Sequence, residues 1–97
     1  MSSIIKSSTV IHKLLQERFA ELDLNPHIVA EEARKFKVPI FKQQIYTYLS
    51  DPDKPKGLTE DGIVWLCIRY GISISLQVKK VPYNEVEAIK RVKEIFT

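Results

Sequence analysis

Amide, ammonium and hydroxyl side chains share one face of a short predicted helix in the middle of the chain. Between Phe41 and Leu49, helical spacing turns Ile45, Tyr48 and Leu49 inward. Glutamine can form two hydrogen bonds with adenine, lysine can reach guanine or a phosphate, and threonine can offer its methyl group to thymine. An ordinary solvated helix face is the alternative interpretation. The outward side chains are candidate base contacts of duplex DNA: Lys42, Gln43, Gln44 and Thr47.

Cations are concentrated beside this segment, although the net charge of +3 on 97 residues is small. Arg34, Lys35, Lys37 and Lys42 occur before Ser50 with no acid among them. The N-terminus of a preceding helix could add backbone amides as phosphate donors. These charges could equally form solvated helix faces. Tyr46, in the third helix, could equally bind a protein partner. The predicted phosphate contacts are His27, Lys35, Lys37, Tyr46 and Lys54.

No residue pattern in the chain is typical of a catalytic or metal site. Cys67 is the only cysteine, which excludes an intramolecular disulfide and a cysteine metal site. His12 and His27 each lack an obvious second ligand, and there is no glycine-rich phosphate loop. Cys67 lies on an apolar helix face, where cysteine usually serves as small packing material. We therefore expect no enzymatic activity, no cofactor and no metal.

The elements that position these residues begin with three helices. Asn25-Pro26 is a cap residue followed by proline and predicts the start of the second helix. Val38-Pro39 interrupts the helical pattern after the second helix, because the residue before a proline is pushed out of helical geometry. A third helix then runs from about Phe41 to Leu49, and a loop follows from Ser50 to Gly57. The first helix is expected to start near Ser7 to Thr9, with an apolar face of Ile11, Leu14, Leu15, Phe19 and Leu22.

A fourth helix, a strand and a last helix are predicted after the loop. Thr59 caps the fourth helix and Gly71 ends it, with Ile63, Leu66, Cys67 and Tyr70 facing inward. Ile72 to Val78 alternates apolar and polar residues, which is typical of a half-buried strand. Asn84 with Glu87 is a capping pattern for the last helix. Its predicted apolar face is Val86, Ile89, Val92 and Phe96.

The single predicted strand suggests a dimer. An isolated strand has unpaired backbone donors and acceptors, and this chain offers no second convincing strand. Antiparallel pairing with the same strand of a second copy would satisfy them. The sequence therefore predicts a homodimer in which the last helix covers a two-stranded ribbon. The predicted dimerisation residues are Ile72, Ile74, Leu76, Val78, Ile89, Val92 and Phe96.

These segments together resemble the lambda-repressor-like, Xre-type helix-turn-helix family between about Ile11 and Val78. The stretch 40–50 is similar to the family's recognition helix, and 57–72 is similar to the helix after it. A strand directly after Gly71 resembles Xre-type antitoxins. The chain departs from the family at Pro26 and His27, where a glutamine is usual, at Lys37-Val38-Pro39, where the turn usually has a glycine, and at Phe41, where Ser or Thr is usual. The resemblance implies sequence-specific binding of double-stranded DNA by a dimeric, repressor-like transcriptional regulator.

The predicted organisation is a single, mainly α domain over residues 1–97. Residues 7–71 form a four-helix helix-turn-helix core, and 72–97 form a dimerisation tail of one strand and one helix. No apolar run is long enough for a signal peptide or a membrane span, so a cytoplasmic protein is expected. The alternative function is a protein-interaction module, such as an antitoxin or a phage-type protein that binds a toxin or a host transcription component. RNA binding is the third possibility. It ranks behind the other two because the sequence shows no aromatic stacking platform beyond Tyr46.

Overall fold

Five helices and two short strands make up the described part of the chain. The structure is a computed structural model that describes residues 2–50, 58–74 and 77–96, with side chains described from Val10 onward. The mainly helical fold with a C-terminal helix, predicted from the sequence, is confirmed. In chain order the elements are α1 (Ser2–Glu21), α2 (Pro26–Lys35), α3 (Lys42–Ser50), α4 (Glu60–Arg69), β1 (Ile72–Ser73), β2 (Lys79–Lys80) and α5 (Glu85–Phe96).

Side-chain caps define the start of three helices, as predicted. The Asn25 side chain accepts a hydrogen bond from the Ile28 amide at 2.9 Å, and Pro26 is the first residue of α2. Thr59 caps α4 and Asn84 caps α5 in the same way. Each cap satisfies a backbone donor that has no partner within its helix. The helix boundaries around the candidate site are therefore encoded locally.

The first helix begins earlier than the sequence predicts. We expected a start between Ser7 and Thr9, but the backbone is helical from Ser2. Serine and threonine inside a helix cost only tenths of a kcal/mol relative to better helix formers, so they do not by themselves end one. The predicted loop lies, from position 51 onward, outside the described residues.

The predicted continuous strand is wrong. Ile72 and Ser73 pair antiparallel with Lys80 and Lys79 of the same chain, so the segment is a hairpin rather than one strand that pairs across a dimer. The apolar alternation from Ile72 to Val78 indicates extended backbone but does not show where the chain reverses. The hairpin satisfies part of its own backbone, which removes the argument for a dimer from an unpaired strand.

A single apolar cluster connects all the helices. Trp65 is completely buried, and its ring lies 6.0 Å from the centroids of both Phe36 and Tyr70. The inward residues predicted for α4 are buried or packed against this cluster. The predicted inward face of α5 is wrong at one position: Val86 is 76% exposed, whereas Ala88 and Val92 face the core. Val86 lies in the first turn of α5, so the core-facing stripe begins only at Ala88.

Candidate nucleic-acid interface

The turn between α2 and α3 holds the two helices against each other and exposes one lysine. Lys37 donates its backbone N–H to the Arg34 carbonyl at 3.0 Å, and Val38 donates to the Ala33 carbonyl at 3.0 Å. These two hydrogen bonds are the usual pattern at a helix C-terminus that is followed by a residue in the left-handed conformation, here Lys37. Lys37 has a φ of 60°. It lies in the turn where the Xre-type family, which the sequence resembles, usually has a glycine. Val38 and Ile40 are buried, so the turn is anchored in the core.

The inward and outward faces of α3 are as predicted. Ile45 and Tyr48 are almost completely buried, and Leu49 is half-buried against the core. Lys42, Gln43 and Tyr46 are exposed, while the other two outward residues, Gln44 and Thr47, are half-buried. The structure therefore brings the four candidate base contacts onto one side of α3, together with Tyr46.

Hydrogen bonds to α1 fix the C-terminal end of α3. The Leu49 carbonyl accepts hydrogen bonds from His12 Nε2 at 3.1 Å and from the Gln16 amide at 2.9 Å. Because a carbonyl can only accept, His12 Nε2 carries a proton here. The His12 ring also contacts the Tyr48 ring edge-on at 5.2 Å. His12 therefore orients α3, a contribution that the sequence analysis missed because the two residues are far apart in the chain.

Gln44 is engaged at the start of its own helix. Its side-chain oxygen accepts a hydrogen bond from the Phe41 backbone N–H at 2.9 Å. Glutamine three residues after the N-terminal cap position commonly reaches back in this way. Pairing of Gln44 with an adenine would compete with that bond. Gln43, the next residue on the exposed side, is the more accessible of the two amides.

A groove of about 600 Å³ runs between α2 and α3. Phe41, Lys42 and Gln43 form its α3 side, and His27 lies at the start of α2. The titratable side chains of its walls are His27, Glu31, Arg34, Lys37 and Lys42. Three cationic side chains and a histidine against one carboxylate make this groove a candidate anion site.

Arg34 belongs to the groove but was not predicted as a site residue. His27, Glu31 and Arg34 recur at spacings of four and three along α2, so they share one helical face. That spacing could have identified Arg34 from the sequence. Its guanidinium lies 3.6 Å from Glu31 and is 76% exposed, an ion pair worth only about 0.3–0.5 kcal/mol. Because this contact is weak, Arg34 can leave the Glu31 carboxylate and pair with a phosphate instead.

The remaining predicted phosphate contacts do not all join this groove. Lys35 lies 3.7 Å from Glu32 and borders a second groove with Glu85 and Lys93 of α5. Lys37 borders both grooves. Lys54 lies outside the described residues. The structure thus groups His27, Lys37 and Tyr46 with the outward face of α3 and places Lys35 at the second groove.

A buried ion pair holds α2 in place behind the groove. The Arg69 guanidinium donates to Glu32 Oε2 at 2.5 Å and 3.2 Å, and to the Tyr83 hydroxyl at 2.5 Å. Burial lowers the pKa of Arg69, but the hydrogen bonds to Glu32 and Tyr83 outweigh it, so the net pKa is above the ordinary value. Arg69 therefore stays charged and links α4 to α2.

The hairpin is tied to α1 on the opposite side. Lys80 Nζ donates to Glu17 Oε1 at 3.2 Å and also to Glu21. The hydrogen bond from Lys80 lowers the pKa of the Glu21 carboxyl. Arg18 donates to the Val81 carbonyl and lies over the Tyr83 ring at 5.4 Å. Lys80 of β2 therefore has a specific structural role, because it links the hairpin to α1.

The predicted dimerisation residues do not form one exposed patch. Ile72 and Val92 are in the core, so they are not available to a partner, and assigning them to an interface is wrong. The half-buried members packed against the core are Ile74, Val78 and Phe96, and Ile89 is half-buried beside the groove that Lys35 and Lys93 border. Leu76 lies outside the described residues. An alternating pattern cannot distinguish a core-facing side chain from one that faces a second subunit.

Nothing in the described part of the chain assembles a metal site or a membrane span. No group of three or more metal-ligating side chains occurs at residues 2–50, 58–74 and 77–96. None of the helices in those ranges is long and apolar enough to cross a membrane. Burial raises the pKa of the Cys67 thiol to about 12, which keeps it protonated.

Comparison with protein-family models, with curated proteins and with solved structures finds no match to this chain. The resemblance to the Xre-type family therefore remains a prediction from sequence.

Proposed function

We propose that this protein binds double-stranded DNA in a sequence-specific manner, with α3 in the major groove. The observation that carries the proposal is the continuity of two surfaces. The exposed side of α3 presents Lys42, Gln43 and Thr47, and the adjoining groove adds Arg34 and Lys37. A major groove about 12 Å wide accepts one helix whose leading residues contact base edges.

The proposed contacts follow from position. Lys42, Gln43 and Thr47 read bases, with Gln44 contributing only if its bond to Phe41 opens. Backbone phosphates on either side are contacted by His27, Arg34, Lys37 and Tyr46. Lys35, which borders the second groove, and Lys54, which lies outside the described residues, are proposed as phosphate contacts from the sequence alone. Cations at the groove edge fix the orientation of α3, and the amides carry the sequence information.

Selection from a random duplex library at two salt concentrations tests the proposal directly. We expect an enriched sequence and an affinity that falls steeply with salt. Gln43→Ala should change which sequence is enriched. Lys37→Asn should weaken all duplexes alike and reduce the slope of log K against log salt by about 0.9, as expected for one lost phosphate contact.

Lys90→Ala is the matched control for charge. Lys90 is an exposed cation of α5 outside the α2–α3 groove, so its loss changes the net charge equally. Its salt slope should equal that of the unsubstituted protein. If Lys90→Ala and Lys37→Asn reduce the slope equally, the groove is not the DNA surface. If no duplex is enriched at moderate salt, the proposal fails.

Homodimerisation is also part of the proposal, through a surface other than the strand ribbon predicted from the sequence. Ile95 is 61% exposed and borders a shallow groove with Ile74, Arg91 and Glu94. Two copies related by a two-fold axis could bury both isoleucines and pair each arginine with the other copy's glutamate. To bind a near-palindromic site, such a dimer must present its two copies of α3 to successive major grooves, about 34 Å apart.

The oligomeric state is measurable without DNA. Sedimentation equilibrium should give a dimer that Ile95→Asp converts to a monomer, while Val86→Asp on the same helix leaves it intact. An unchanged dimer in Ile95→Asp would exclude this interface. A dimer on an operator would act as a repressor-like transcriptional regulator in the cytoplasm.

A protein-interaction module is the second candidate function. It is favoured by two exposed aromatic side chains beside the groove, Phe41 at 65% and Tyr46 at 62%. Exposed aromatic residues often dominate protein–protein binding energy. An antitoxin or a phage-type protein would use them on a toxin or on host transcription machinery. In that case Lys42→Ala with Gln43→Ala would leave partner binding intact, and no duplex would bind at moderate salt.

A further inference from the structure

Phe41 is exposed where the fold gives it no packing role. The turn alternates, with Val38 and Ile40 buried and Pro39 and Phe41 facing outward. Phe41 is 65% exposed, so much of a large apolar residue remains in water. Its place directly before α3 needs no aromatic side chain, because Ser and Thr are better at capping a helix.

The backbone of Phe41 is nevertheless held firmly. Its N–H donates to the Gln44 side chain at 2.9 Å, and its carbonyl accepts from the amides of Gln44 at 3.0 Å and Ile45 at 3.3 Å. Because Ile45 is completely buried, this turn is tied to the core. The ring of Phe41 is therefore presented from a fixed position at the leading end of α3.

Phe41 borders the cationic groove next to two exposed polar residues of α3. Lys42 and Gln43 follow it directly, and all three border the groove between α2 and α3. In the proposed complex, the N-terminal residues of α3 meet the base edges first. A phenylalanine there has no hydrogen-bonding group to offer, so it can contribute only an apolar contact.

We propose that Phe41 recognises the C5-methyl group of a thymine in the major groove. Thymine is the one base with an apolar group on that edge, and phenylalanine is among the residues that contact it. This inference rests on the proposed binding of duplex DNA. It adds a specificity-determining residue that carries no charge and no hydrogen bond. Lys42 and Gln43 supply the polar contacts, and Phe41 selects a thymine beside them.

Replacing each thymine of the enriched duplex in turn by deoxyuridine tests the proposal, because only the methyl group is removed. One thymine in each bound site should respond with a loss of affinity of about fourfold, the value of burying one methyl group. Phe41→Ala should bind the unmodified duplex more weakly and should be insensitive to deoxyuridine at that position. The two changes together should cost no more than Phe41→Ala alone.

Two further variants separate this role from folding. Phe41→Ser places a capping hydroxyl before α3, so it should keep or raise the melting temperature and still lose the response to deoxyuridine. Val86→Ala, which shortens another exposed apolar residue outside the groove, should keep the full response. The proposal is overturned if every thymine tolerates deoxyuridine, or if Phe41→Ala retains the response. If no duplex is enriched at all, the proposed function has failed and this inference fails with it.

Discussion

Replacing Lys37 by glycine should stabilise the fold and weaken DNA binding at the same time. The left-handed backbone at φ of 60° costs an ordinary residue about 1–2 kcal/mol, whereas glycine adopts it freely. Glycine also gains freedom in the unfolded chain, which offsets about 0.5–1 kcal/mol. The net gain in the free energy of unfolding should be about 0.5–1 kcal/mol, or about 3–6 °C in melting temperature for a domain of this size.

Both effects can be measured on one protein preparation. Trp65 is the only tryptophan and is completely buried, so its fluorescence reports unfolding in urea. The same variant should lose affinity for every duplex and show a salt slope smaller by about 0.9. A more stable protein with weaker binding cannot be explained by partial unfolding.

Asp23→Gly is the matched control for the backbone effect. Asp23 lies just after the C-terminus of α1 and has a φ of 54°. The Asp23 and Leu24 amides donate to the Ala20 and Phe19 carbonyls, which is the same pair of hydrogen bonds as at the end of α2. This variant should gain less stability than Lys37→Gly, because aspartate tolerates the left-handed conformation better than lysine. It should keep its DNA affinity, because Asp23 does not border the α2–α3 groove. A loss of stability in Lys37→Gly would refute the reasoning, since it would mean that the lysine side chain contributes more than its backbone costs.

Two other predictions concern the support of the site. Glu32→Ala removes the closest carboxylate from buried Arg69 and should cost about 3 kcal/mol in urea unfolding, whereas Glu31→Ala on the same helix should cost under about 0.5 kcal/mol; equal costs would refute the role of the buried pair. Cys67 has its pKa raised by burial from 9.0 to about 12, so only the unfolded thiol ionises just above pH 9 and stability falls as pH rises. Between pH 9 and 10 the unsubstituted protein should lose about 1 kcal/mol more than Cys67→Ala, and parallel curves would contradict this.

Local signals predicted most of the helices correctly. Asn25, Thr59 and Asn84 each sit beside the amides that they cap, so a few neighbouring residues determine the boundary. The inward face of α3 was predictable because Ile45 and Tyr48 follow helical spacing. These predictions depend on contacts between residues no more than four positions apart, and such contacts are visible in the sequence.

The features that the sequence could not supply depend on distant pairs. The hairpin requires Ile72 to pair with Lys80, and no residue type marks that register. The link from Arg69 to Glu32 and the link from His12 to Leu49 both join positions 37 apart. Alternation from Ile72 to Val78 is consistent with either one strand or two, so the pattern does not distinguish a ribbon across a dimer from a hairpin within one chain.

The left-handed helix ends add an independent argument for the proposed site. Asp23, Lys37 and Gly71 all have positive φ at the end of a helix. Glycine adopts this conformation without cost, and aspartate is tolerated because its short side chain can bond locally. Lysine has neither advantage, and its side chain is exposed rather than packed. A strained residue without local compensation is often found where a ligand is bound. Among these three positions, only Lys37 borders the cationic groove, so the strain and the charge point to the same surface.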